Sequence, residues 1–272
     1  MDFVVTPTAE HFDIDAHRLG EHSQDETRTF PDGEVYVQLE ALASIDRATV
    51  IHSGQPHPNR GLAYLYGVLD LLRTNGCTIT LVFTYVPYCR QDSEFYAGTL
   101  NYARSLLRMV TDCYGVDRIY AVDPHFSHQE WIRDFPVERL EAYPLIHERV
   151  EMEDYVVVGP DLGAVERFDI PGFEKTRTGA RDVELAGEFD VGGQNVLVFD
   201  DLIATGGTMV SAFERLKDQD AATVQAAAIH GVLEDGVERV RETDDTLYLT
   251  NTIAREAADI GAEPLIENTV PG

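Results

Sequence analysis

The sequence predicts an α/β protein of two halves, each a mostly parallel sheet flanked by helices. Two observations predict it. Short apolar, β-branched runs alternate with stretches of helical periodicity along the chain, which is the pattern of right-handed βαβ units covered on both faces. Polar and titratable residues recur just past those runs: Arg90, Asp123, His125, Asp161, Asp200, Asp201 and His230. Ligands of open parallel sheets bind beyond the carboxyl ends of the strands, so this recurrence predicts the rim of a site.

The elements follow in order. Phe30-Pro31-Asp32-Gly33-Glu34 is a turn, read from its composition as the tip of a hairpin, and VYVQL after it alternates like a strand. Residues 48–52 form a buried strand, 59–73 an amphipathic helix, and 78–86 a second strand that runs into Pro87-Tyr88-Cys89-Arg90-Gln91-Asp92. Residues 100–113 are again helical. Strand 117–122 ends in Asp123-Pro124-His125, and strand 155–158 ends in Gly159-Pro160-Asp161. Strands follow at 196–199, 223–229 and 246–249, with a helix at 209–217 after the first of them. The halves meet near residues 141–154, giving domains of 1–143 and 144–272. That linker is not rich in Gly or Ser, and no closing helix is evident before Gly272.

Composition narrows the function classes. A chain of 272 residues with 44% hydrophobic content holds one large α/β domain or two ordinary ones. No apolar run approaches the length of a membrane span, and the start lacks the basic and apolar regions of a signal peptide. Cys77, Cys89 and Cys113 are odd in number and show no CxxC spacing, which fits a reduced cytoplasm. The 48 acidic against 21 basic residues give a net charge of −27, spread along the whole chain. Such a surface repels nucleic acid and anionic membranes, so neither is an expected partner. With only two lysines, Lys175 and Lys217, the balance is that of a salt-adapted, halophilic protein. The charge is read as solvation, and it makes each local cation informative.

Residues 195–208, NVLVFDDLIATGGT, carry the chemistry. An apolar strand is followed by Asp200 and Asp201, then by Ala204-Thr205-Gly206-Gly207-Thr208 and a helix. Glycines let backbone approach a ligand, a helix start offers unpaired N–H groups, and threonines add hydroxyl donors. The loop therefore suits a phosphate, and the carboxylates suit ribose hydroxyls or a hydrated metal. The alternative is a structural turn capped by Thr205 or Thr208, with the acids in turn or capping roles. No Lys follows the glycines, so this is not a Walker A loop.

The stretch resembles the phosphoribosyl-diphosphate motif of type I phosphoribosyltransferases and ribose-phosphate diphosphokinases. The other motifs resemble the diphosphokinase branch, and the resemblance covers almost the whole chain. It implies two phosphoribosyltransferase-like domains, the first on the ATP side and the second carrying the ribose 5-phosphate loop. It implies transfer of the diphosphoryl group of ATP to the 1-hydroxyl of ribose 5-phosphate. FPDGE is similar to an adenine-contacting loop that a neighbouring subunit supplies, which implicates Phe30, Asp32 and Glu34 and a homo-oligomer, a dimer or larger. YCRQD is similar to the ATP-binding segment, with Arg90 and Gln91 at the nucleotide. VDPHF places His125 at the metal–triphosphate unit, and GPDLGAVE places Asp161 at Mg²⁺. FEKTR is similar to a mobile catalytic loop, with Lys175 and Arg177 as catalytic cations. Asp200, Asp201, Thr205, Gly206, Gly207 and Thr208 would bind ribose 5-phosphate.

Taken as residues alone, His125 is a hydrogen-bonding loop histidine, as is His128, and Lys175 with Arg177 is a solvated pair. The chain also departs from the family pattern. Ala204 stands where many relatives carry Asp, Ser93 stands where a basic residue is common, and the segment between Asp161 and Lys175 is short. Two rivals therefore accompany the diphosphokinase reading. One is a phosphoribosyltransferase that consumes phosphoribosyl diphosphate; the other is a catalytically silent regulatory relative.

Overall fold

The computed structural model describes residues 2–22, 27–177, 183–186, 190–243 and 246–270, without the side chains of 174–177 and 183–186. It forms two compact units. The first holds Met1–Glu141, Thr252–Ala254 and Ala262–Gly272, and the second holds Ala142–Asn251 and Arg255–Gly261. The last residues of the chain thus group with the first unit, whereas the sequence suggests one division near 143/144.

In the first unit, β1 (Asp2–Val5), β2 (Arg47–Ser53), β3 (Thr78–Tyr85), β4 (Val116–Val122) and β5 (Val137–Leu140) lie side by side in that order, all parallel. Between β2 and β3 runs α1 (Pro58–Thr74), whose Leu65, Val68, Leu69 and Leu72 are fully buried. Between β3 and β4 runs α2 (Tyr102–Arg108), capped by Asn101, whose side chain accepts the Arg104 N–H at 2.9 Å. The helical pattern continues to Cys113 as expected, but as a wider π turn. There Thr111 Oγ1 donates back to the Leu107 carbonyl at 2.9 Å, a bond that competes with the helical ladder.

The second unit begins with α3 (Tyr143–His147), β6 (Tyr155–Val158) and α4 (Leu162–Phe168). A separate antiparallel pair follows, β7 (Glu174–Arg177) with β8 (Val183–Ala186). Then come β9 (Asn195–Ile203), α5 (Gly207–Asp218), β10 (Thr223–Gly231), α6 (Glu234–Thr243) and β11 (Leu247–Leu249). Its main sheet is parallel in the order β11-β10-β9-β6. Val196, Val198, Met209, Phe213, Leu216, Val237 and Val240 form one core between this sheet and helices α5 and α6. The expected α/β class is observed: two parallel sheets flanked by helices.

Two expectations fail here. VYVQL is no strand. Only Val35 bridges, to Thr29, and Val37 packs on α1 at Gly67, where an added Cβ would meet Val37 Cγ2 at 2.7 Å. Alternation alone does not make a strand when the segment lies against a helix instead of a sheet edge. The chain also has a closing helix, α7 (Glu263–Thr269).

One buried group sets an acid limit on this fold. His52, on β2, has no exposed surface, and its Nδ1 lies 2.9 Å from Thr6 Oγ1. Its Nε2 has no partner among the described residues. Burial pushes the imidazole pKa from 6.5 down to about 3. The unfolded chain therefore takes up a proton that the folded chain refuses. The stability His52 contributes is complete above pH 6.5 and is lost as pH falls toward 3. By pH 4.5 the loss should reach about 3 kcal/mol, two pH units at about 1.4 kcal/mol each. Urea unfolding of wild type and His52→Gln at pH 7 and pH 4.5 checks this. The wild type should lose about that much more than the variant, and equal losses would count against it.

Candidate functional site

The second unit gathers its expected groups at one end of its sheet. Pairing of β9 with β6 stops at Val198, whereas pairing with β10 continues to Ile203. Asp200 and Asp201 therefore lie inside β9 and not after it, and His230 lies inside β10, buried and paired with Leu202. The expected strand end at Phe199 is thus corrected. The ladder to β10 satisfies backbone groups beyond the apolar run.

After Ile203 the chain turns through Ala204, Thr205 and Gly206. Gly206 is the N-cap of α5, at φ 75°, and no side chain caps this helix. Thr205 and Thr208 are therefore not its caps. The first helical bond is donated by Val210 N–H to the Gly206 carbonyl at 3.0 Å. The N–H groups of Gly207, Thr208 and Met209 precede it, at the positive end of a twelve-residue helix. The turn is held from behind by backbone: an added Cβ on Gly236, in α6, would lie 1.7 Å from the Ala204 carbonyl oxygen.

Asp161 follows β6 and caps α4, its Oδ1 accepting Ala164 N–H at 3.2 Å. That helix has seven residues and ends at Asp169, at φ 53°, so the segment before Lys175 is indeed short. Arg167, on α4, is absent from the sequence-based set of site residues. Its Nη1 donates to Asp201 Oδ1 at 2.8 Å and lies 3.6 Å from Asp200 Oδ1. Burial first, then the neighbouring Asp201 and the more distant Asp161, push the Asp200 carboxyl well above the usual carboxylate range, against the opposing effect of Arg167.

The first unit positions the other group. Arg90 and Gln91 are exposed on the turn after β3. Asp92 anchors that turn from inside: its carbonyl accepts Asn101 Nδ2 at 2.6 Å and Trp131 Nε1 at 3.0 Å, and its carboxylate accepts Gln129 Nε2 at 3.2 Å. Just past the adjacent β4, Asp123 is buried at φ 33° and accepts Arg139 Nε at 2.6 Å. This fixes the turn that presents half-buried His125. Arg139, like Arg167 and Gly236, was not legible as a site residue. The shared signal is a cation or glycine on an element flanking a strand-end acid or loop, which local pattern does not reveal.

Residues 30–34 form the expected hairpin tip. Phe30 N–H donates to the Glu34 carbonyl at 2.7 Å, and Glu34 N–H donates to Asp32 Oδ1 at 3.1 Å. Phe30 packs edge-on against Tyr36, while Asp32 and Glu34 are exposed. Among the described residues, no hydrogen bond or ring contact joins this tip to Arg90 or Gln91. The backbones of Lys175 and Arg177 lie in β7, paired with Leu185 and Val183, and not in a loop. Their side chains lie outside the described residues.

Comparison with known proteins matches this layout. Residues 13–113 match the N-terminal domain of ribose phosphate pyrophosphokinase, and residues 144–257 match the phosphoribosyl transferase domain. A ribose-phosphate pyrophosphokinase from Thermococcus kodakarensis is 33% identical over 96% of this chain and 98% of its own length. One from Methanothermobacter thermautotrophicus is 31% identical over 90% of each. The crystal structure of a phosphoribosylpyrophosphate synthetase from Mycobacterium smegmatis superposes with a TM-score of 0.79 at 27% identity, covering 99% of this chain and 97% of that one. Similarity at this level runs through both units and nearly end to end, and on that ground the chain belongs to the ribose-phosphate pyrophosphokinase family.

Proposed function

We propose that the protein transfers the diphosphoryl group of ATP to the 1-hydroxyl of ribose 5-phosphate, giving 5-phosphoribosyl 1-diphosphate and AMP. One observation carries this: a full-length relationship to ribose-phosphate pyrophosphokinases that includes their N-terminal domain. A phosphoribosyltransferase that consumes phosphoribosyl diphosphate has no use for that domain. In this reading Arg90, Gln91 and His125 bind ATP, with Phe30, Asp32 and Glu34 meeting the adenine of a neighbouring subunit in a dimer or larger assembly. The exposure of Asp32 and Glu34 at a hairpin tip suits that role. The 5-phosphate sits on Thr205, Gly206, Gly207, Thr208 and the start of α5, and Asp200 takes a ribose hydroxyl.

The β-phosphorus under attack is ringed by negative oxygens, so the protein acts by positioning and charge stabilisation. By resemblance to the family, His125 of the first unit and Asp161 of the second, with its carboxylate at the start of α4, would each meet Mg²⁺. Among the described residues no cluster of three or more His, Cys, Asp or Glu side chains is suited to a metal. The ion would be completed by substrate phosphates and water and not by an all-protein cage. When bound, the ion offsets charge on the phosphate oxygens. Lys175 and Arg177 add positive charge at the transferring group. Among the described residues no helix is long and apolar enough to cross a membrane, and Cys77, Cys89 and Cys113 form no disulfide. A reduced cytoplasm is the compartment we propose.

The test is ³¹P NMR of the protein with ATP, Mg²⁺ and ribose 5-phosphate. AMP with phosphoribosyl diphosphate is expected. ADP with a singly phosphorylated sugar would indicate a simple kinase, and no turnover with retained binding would indicate a silent relative. Asp200→Asn should raise KM for ribose 5-phosphate at least about tenfold and move KM for ATP by less than about threefold. Equal changes in both would place Asp200 elsewhere in the mechanism.

A further inference from the structure

The acid pair of β9 is held by a guanidinium from α4. Arg167 lies 2.8 Å from Asp201 Oδ1 and 3.6 Å from Asp200 Oδ1. The side chains of Arg167 and Asp201 are 5% and 2% exposed, whereas that of Asp200 is 15% exposed. Asp201 in turn reaches Asp200 through the backbone, since Asp201 N–H donates to Asp200 Oδ1 at 2.8 Å. A chain of contacts therefore runs from the guanidinium to the buried acid and then to the more open one.

The origin of Arg167 matters as much as its contacts. It stands on α4, whose first turn is capped by Asp161. An added Cβ on Gly163 would come 3.2 Å from Asp161 Oδ1 and 3.6 Å from Arg167 Nη2, so both groups flank one glycine. One short helix thus carries the guanidinium that holds the acid pair and the carboxylate at its N-terminus. The planar guanidinium offers donors in a fixed fork, which a lysine at the same place does not.

We infer that Arg167 is a positioning residue for the sugar site: it holds Asp201, and through Asp201 it aims the Asp200 carboxyl at the ribose. The two acids then differ in role. Asp201 is occupied by Arg167, and Asp200 meets substrate. This rests on the proposed reading of Asp200 as the sugar contact. It does not require Arg167 to touch the sugar. The alternative role for a buried ion pair is stability alone, and truncating one partner of such a pair is costly in either case. The two roles separate in what they change: stability moves the unfolding midpoint, whereas aiming moves sugar affinity and leaves nucleotide affinity in place.

The experiment measures ribose 5-phosphate binding by titration calorimetry, KM for ATP, and thermal unfolding for wild type, Arg167→Met, Arg167→Lys, Asp201→Asn and the double variant Arg167→Met/Asp201→Asn. Arg167→Met should weaken ribose 5-phosphate binding at least about tenfold while KM for ATP stays within about threefold. Arg167→Lys should recover part of the loss, because it keeps the charge but not the fork. The double variant should bind no worse than Arg167→Met, because both changes cut the same contact. Sugar affinity within about threefold of wild type in a folded Arg167→Met would overturn the inference, as would losses that add in the double variant. A wild type that binds no ribose 5-phosphate would overturn the sugar reading itself, and the inference with it.

Discussion

Lys175→Ala is expected to lower kcat by at least about a hundredfold and to leave ATP affinity nearly unchanged. The argument starts from charge. The chain carries a net of −27 and only two lysines, yet one of them stands two residues before Arg177 in a segment similar to the catalytic loop of its family. A nucleotide triphosphate entering so acidic a protein needs local cations. A cation accelerates the chemical step only if it binds the transition state more tightly than the ground state. A contact completed late, as phosphoryl transfer proceeds, shows its loss in kcat and not in binding. Removing one such charge-stabilising donor costs roughly 3 to 4 kcal/mol, or 10²–10³ in rate. A solvated surface lysine would change rate and stability by little. Steady-state rates and nucleotide binding at one salt concentration decide it. A rate within about threefold of wild type would remove Lys175 from catalysis.

Gly236→Ala should raise KM for ribose 5-phosphate by at least about tenfold, with KM for ATP within about threefold of wild type. A glycine inside a helix costs about 1 kcal/mol relative to Ala, so its place in α6 has to be justified by packing. The packing is backbone against backbone. A Cβ at Gly236 would sit 1.7 Å from the Ala204 oxygen, 2.7 Å from its carbonyl carbon and 3.1 Å from the Thr205 carbonyl carbon. The contact is mutual, since a Cβ at Gly206 would lie 2.5 Å from the Gly236 oxygen. No flexible side chain is available to yield, so α6 or the phosphate turn must shift. Overpacking of this kind costs about 1–3 kcal/mol of stability, and the displaced turn moves the N–H groups that would cradle the phosphate. Thermal unfolding and separate KM values for the two substrates measure both effects. A folded variant with sugar KM within about threefold of wild type would show that the turn does not depend on α6 for its position.

The sequence by itself determined what local composition controls. Apolar runs of strand length between helical stretches were enough to predict parallel sheets in two halves. The Thr-Gly-Gly-Thr loop after an apolar strand was enough to predict a helix start there. Both follow from short-range rules: side-chain periodicity, and the conformations that glycine allows. The tertiary structure decided where β9 ends. Asp200 and Asp201 look like a loop because they are charged, but β10 runs as far as Gly231 and its ladder carries β9 on to Ile203. It also decided which acid is occupied, because Arg167 lies 34 positions from Asp201 in the chain and no local pattern pairs them. The same holds for Arg139 with Asp123, for Gly236 against the phosphate turn, and for VYVQL, which packs on α1 instead of joining a sheet. In each case a residue's role depends on what a distant segment brings to it, and a buried charge or a backbone contact takes its meaning only from that partner.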